Sequence, residues 1–202
     1  MCMLNEERIK LQKASVENAY LSIAITVDGT PMHGGFIPWK HTSNAFNMKT
    51  PNVTISIDDL QDKEIMGEIY KCKINGCYIL TSLSDYSFLS QFHDLWDLFI
   101  RCGENINDLS FIRNMPGLFL FYLEDAKLKD IRPLIENCNH GDSLPAKCFG
   151  FCHCEVEDTS AMKEARFIIS ELLIWPVDSK NENRERWDTG RYIDEFNIYN
   201  GR

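Results

Sequence analysis

The feature that most constrains this chain is Asn75-Gly76, set between two apolar-alternating runs. Both central residues of a type I′ turn need positive φ, and Asn and Gly tolerate it best, so this dipeptide is a strong hairpin signal. Strands over 68–74 and 77–83 are expected, with Tyr70, Cys72, Ile74, Cys77 and Ile79 on one face. Putting β-branched residues at Asn75-Gly76 is expected to cost more than about 1 kcal/mol, because both would need disfavoured positive φ.

Such a face needs a cover, and the next segment supplies one. Phe88, Leu89, Phe92, Leu95, Trp96, Phe99 and Ile100 recur at three- and four-residue spacing, with Ser84-Asp85 as a cap and Gly103 as a stop. The pattern predicts an amphipathic helix over 86–102 with Trp96 in the core. A second short helix is expected from Ile106 to Met115, ended by Pro116-Gly117.

Elsewhere the chain reads mainly as strands. Leu21, Ile23, Ile25 and Val27 alternate with smaller or polar residues, and Val53, Ile55 and Ile57 do the same. Leu118 to Leu123 is apolar without interruption, as in a central strand buried on both faces. The stretch 147–156 places Cys148, Gly150, Cys152 and Cys154 on one side and Phe149, Phe151 and His153 on the other. The β-branched content of 166–175, closed by Pro176, favours a strand over a buried helix. A helix from Asn5 to Glu17 would have a thin apolar face of Ile9, Leu11 and Val16. No internal repeat is evident.

These elements predict an α+β fold: a mostly antiparallel sheet with a central hairpin covered by an amphipathic helix. Residues 1–177 form that single domain, and 178–202 a polar loop with a docked tail. The long irregular segment 30–52 carries Phe36, Trp39 and Phe46, either pinned to the core or free for function.

Charge and cysteines limit the function classes. A net charge of −9 argues against a nucleic-acid surface, which needs a Lys/Arg stripe. No apolar run approaches the roughly 20 residues that span a bilayer. The amino end lacks the basic and apolar regions of a signal peptide, so a cytoplasmic protein with eight free thiols is expected.

Motifs for chemistry are sparse. There is no phosphate loop and no G-x-S-x-G elbow. Cys138, His140, Cys148, Cys152, His153 and Cys154 are dense in metal-ligand types. An extended strand cannot close a cage from residues two apart, however, so no metal and no cofactor are expected, with less than about half an equivalent of zinc as purified. A thiol enzyme built on Cys138 with His140 and Asp142 is the alternative, a hydrolase or transferase.

The first reading is a non-catalytic binding protein, an acidic inhibitor or immunity-type protein that neutralises a basic protein partner such as a nuclease toxin. Its anchors would be Trp39 and Trp187, because Trp96 and Trp175 are assigned to the core. Glu155, Glu157, Asp158 and Glu164 would supply the steering field, although a solvated rim is the simpler fate for such acids.

Overall fold

The computed structural model describes residues 3–31, 51–140, 147–175 and 196–198. Their sheet is parallel throughout, which overturns the antiparallel hairpin architecture. The strands are β1 (Tyr20–Thr26), β2 (Val53–Ser56), β3 (Lys73–Ile79), β4 (Asp97–Ile100), β5 (Leu120–Glu124), β6 (Lys127–Asp130), β7 (Lys147–Cys152), β8 (Glu155–Asp158), β9 (Ile169–Trp175) and β10 (Phe196–Ile198). Eight of them run in the order β10-β9-β7-β5-β4-β3-β1-β2, and β6 pairs with β8 in a separate parallel ribbon. The helices are α1 (Asn5–Glu17), α2 (Lys63–Ile69) and α3 (Arg132–Asn139). The fold class is α/β.

From β3 onward each strand of the large sheet lies beside the next one in the chain. One register row runs Gly76, Asp97, Leu120, Cys148, Glu171. A parallel neighbour can be reached only by a full return path, so each step is one coil of roughly 20–30 residues. From β3 onward the described strands therefore stack as the successive coils of a solenoid. Across the sheet, Cys77, Leu98, Phe121, Phe149 and Leu172 form one inward row, and Ile79, Ile100, Leu123 and Phe151 another, all buried.

The expected hairpin turn is the interior of β3, and the reason is geometric. Leu21 pairs with Ile74 and Ser22 with Gly76, so Asn75 is the extra residue of a β-bulge. A Cβ on Gly76 would stand 3.0 Å from the Ser22 Cβ and 3.3 Å from the Tyr78 ring. Glycine is there for close approach, another use of this residue within a strand.

The expected helix over 86–102 is replaced by a 3₁₀ turn at Ser87–Gln91 followed by β4. Before β4 its buried residues are Tyr86, Leu89, Phe92 and Leu95, at three-residue spacing, and within β4 Leu98, Phe99 and Ile100 are all buried. In an α-helix each three-residue step falls about 60° short of a turn, so this row would wind around the helix. In 3₁₀ turns and similarly tight loops, every third side chain points the same way. After β4 the spacing resumes in a shifted phase through Gly103, Ile106, Leu109, Ile112, Met115, Leu118 and Phe121, where the second expected helix is only a 3₁₀ turn at Ser110–Ile112.

Several expectations agree with the structure. Strands occur at 20–26, 53–56 and 169–175, and β5 is central and buried along its length. The 147–156 strand is real to Cys152, then divides into β7 and β8 at His153, whose φ is 50°. Helix α1 forms as expected, but Ile9 and Val16 are exposed and the helix buries Glu7, Leu11 and Ser15. It closes one end of the solenoid. The Glu7 carboxylate accepts a 2.6 Å hydrogen bond from the Thr54 backbone N–H on the edge strand β2.

Candidate functional site

The two faces and two rims of the sheet carry different chemistry. On the face opposite the main core, Tyr78, Phe99 and Tyr122 form a ladder across β3, β4 and β5, with ring centroids 5.4 Å apart at both steps. All three are almost fully buried, so the ladder is a second apolar cluster rather than an open surface.

The rim at the amino ends of the strands is open. The residue just before β4 is Trp96, which is 59% exposed instead of sitting in the core. Its backbone N–H donates to the Asn75 carbonyl at 2.9 Å, and its carbonyl accepts from Phe119 and Leu120 of the next coil. These bonds fix the tryptophan at the coil edge. Its ring lies 5.9 Å from that of Phe119. Tyr20, at the start of β1, is 64% exposed, with the Lys73 ammonium 5.5 Å from its ring centroid. Trp96, Tyr20, Asn75, His93, Asp94, Pro116 and Gly117 line a depression of about 520 Å³.

The rim at the carboxyl ends is polar, with half-exposed Arg101, Asp125 and His153 around the buried Glu124. Glu124 ends β5 and pairs in register with Cys152, the last residue of β7. The next residues, Asp125 and His153, both adopt left-handed backbone at φ 62° and 50°, a conformation that Asp and His tolerate better than most side chains. The consecutive coils thus turn at equivalent positions, and the Asp125 N–H donates to the Cys152 carbonyl at 2.9 Å. One donor atom each from Glu124, Cys152 and His153 lies within 4.8 Å of the others. The Arg101 Nε is 3.4 Å from Glu124 Oε2, and the Asp125 carboxylate is 3.6 Å from His153 Nδ1. Burial raises the Glu124 carboxyl against the opposing effect of Arg101. Burial also pushes the Cys152 thiol up to about 12.

The expected site residues are scattered. Cys138 is buried in α3, its thiol pushed up to about 11 by desolvation, while His140 is exposed at the end of that helix. Asp142, Trp39 and Trp187 lie outside the described residues. Glu155, Glu157, Asp158 and Glu164 do share one region, around β8 and the 3₁₀ turn that follows. Two of them are engaged by cations of the preceding coil: Glu155 with Lys127 at 3.2 Å and Glu164 with Arg132 at 2.7 Å. Sequence reasoning missed Trp96 and Glu124. The three-residue rhythm skips Trp96 and so marks it as outward-facing. No local signal joins Glu124 to Cys152.

No known family, no curated protein and no solved structure matches the chain.

Proposed function

We propose that this protein is a non-catalytic binding protein that docks a basic protein partner at the amino rim of its solenoid, in the manner of an inhibitor or immunity protein. The observation that carries this reading is Trp96, exposed on the Phe119 ring beside Tyr20 and the 520 Å³ depression. Large aromatics at the edge of a concavity are the residue types that dominate interface energies. Repeat solenoids serve as extended binding scaffolds, which supports the class by analogy of architecture alone. The net charge of −9, with Asp94 in the lining, favours a basic surface.

The thiol chemistry of the alternative reading finds little support. Nucleophilic cysteines carry lowered pKa values. Here burial raises Cys72, Cys77, Cys102, Cys138, Cys152 and Cys154 alike. No helix among the described residues is long and apolar enough to cross a membrane.

The test places a photo-crosslinking side chain at position 96, identifies the captured protein, and measures its binding to the unmodified chain. The partner should be basic, and its association rate should fall several-fold between roughly 10 and 150 mM salt, as the Debye length shortens from about 30 to 8 Å. Trp96→Ala should raise the dissociation rate on the order of thirtyfold, the cost of removing an interface anchor. An acidic partner, salt-independent association or an unchanged dissociation rate refutes the proposal.

A further inference from the structure

The geometry points to a divalent transition-metal site of the zinc class at the carboxyl rim, with Glu124, Cys152 and His153 as protein ligands. The three offer one oxygen, one sulfur and one nitrogen, a mixed donor set that zinc accepts and that hard cations such as calcium and magnesium do not favour. Ligand atoms in a tetrahedral zinc site stand roughly 3.3–3.8 Å apart, as bond lengths of about 2.0–2.3 Å require. The present span of up to 4.8 Å therefore needs only a modest side-chain adjustment.

The surroundings fit a site more closely than an accidental cluster. Glu124 and Cys152 are buried, while the His153 side chain is 52% exposed, so an ion has both a fixed floor and a way in. Asp125, 3.6 Å from His153 Nδ1, is placed to orient that ring, as carboxylates beside metal-bound imidazoles do. Arg101 approaches Glu124 through Oε2, and a carboxylate has lone pairs on two oxygens for further partners. Two non-glycine residues in left-handed backbone, at matching positions of neighbouring coils, turn Asp125 and His153 onto the same edge. Three protein ligands leave a fourth position for water.

Cysteines and histidines along one extended strand close no cage by themselves, and the carboxylate comes from the neighbouring coil. Cys154 is a built-in control: its Sγ donates to the carbonyls of Leu123 and Cys152 and it packs against the main core, outside the cluster.

The experiment titrates chelator-treated protein with Co²⁺ and follows the thiolate-to-cobalt charge-transfer absorption, then repeats the titration with Zn²⁺ in competition. About one equivalent should bind with that absorption, and zinc should displace it. Cys152→Ser should abolish the band, and Cys154→Ala should keep it. Because Cys152 is fully buried, His153→Ala is measured in parallel, with the metal-free melting curve as the check on folding; affinity should fall at least about tenfold. Asp125→Asn should weaken binding by about tenfold through the histidine alone. Binding without the thiolate band, a band that survives Cys152→Ser or disappears in Cys154→Ala, or equal affinity in His153→Ala overturns the assignment.

Discussion

The amino and carboxyl rims of this sheet are built from the same coils, yet they differ in nearly every physical respect. At the amino rim the coil edge presents Trp96 and Tyr20 to solvent beside a depression. At the carboxyl rim it folds over itself, burying Glu124 and Cys152 beneath two left-handed turns. The difference lies in how each coil leaves its strand. Before β4 and β5 the chain arrives through backbone bonds between Asn75, Trp96 and Phe119, which hold the edge but leave the side chains outside. After β5 and β7 it bends sharply into β6 and β8, and the bend sets half-exposed Asp125 and His153 beside the buried strand ends Glu124 and Cys152. One repeat architecture thus carries an exposed aromatic edge at one end and a cluster of metal-ligand side chains at the other.

The sharpest way to break this contrast is at Gly103. A Cβ there would meet the Glu124 carbonyl at 2.7 Å and Leu123 Cδ1 at 2.9 Å, so the turn beside the carboxyl rim must shift. Gly103→Ala should cost about 1–3 kcal/mol in chemical denaturation, in line with overpacking of a dense interior. Metal binding should weaken, while Trp96 fluorescence in the native state stays unchanged. Equal disturbance of both ends would mean that the rims are not independent.

A smaller effect is expected at Gly76, under the amino half of β3. Gly76→Ala should destabilise by about 1 kcal/mol because its Cβ meets Ser22 at 3.0 Å. The double variant with Ser22→Gly should recover most of that loss, since the obstructing Cβ is gone. A hairpin turn would show no such rescue, because its penalty would come from positive φ.

The smallest effect is a slope. Lys147 opens β7, is 1% exposed, and donates from Nζ to the Leu118 carbonyl at 2.6 Å. Burial lowers its pKa below the usual 10.5, and the nearby Cys138 opposes this only in part. Between the lowered native value and 10.5 the unfolded chain binds more protons than the native one, so this group makes stability climb with pH. Below the native value both states are charged and the slope from Lys147 vanishes. Melting temperatures measured across the alkaline range should show that climb in the wild type and lose it in Lys147→Met. Parallel curves would remove Lys147 as the cause.

Much of the local structure was legible in the residues themselves. The alternation at 20–26 and 53–56 and the unbroken run at 118–123 marked strands, because side-chain burial on one or two faces is a local property of the chain. Three-residue rhythms from Tyr86 to Leu98 and again from Gly103 to Phe121 were also present. In the first of these, Phe88, Trp96 and Phe99 fill the gaps with apolar residues and imitate a helical face, although they lie partly buried, exposed and on the opposite sheet face. What only the tertiary structure decided was direction and neighbourhood. A strand segment looks much the same whether its partner runs parallel or antiparallel, and that choice depends on how the intervening coil returns. The return path turned Asn75-Gly76 from a hairpin into a bulge and set Glu124 beside Cys152, across a coil whose length no local pattern encodes.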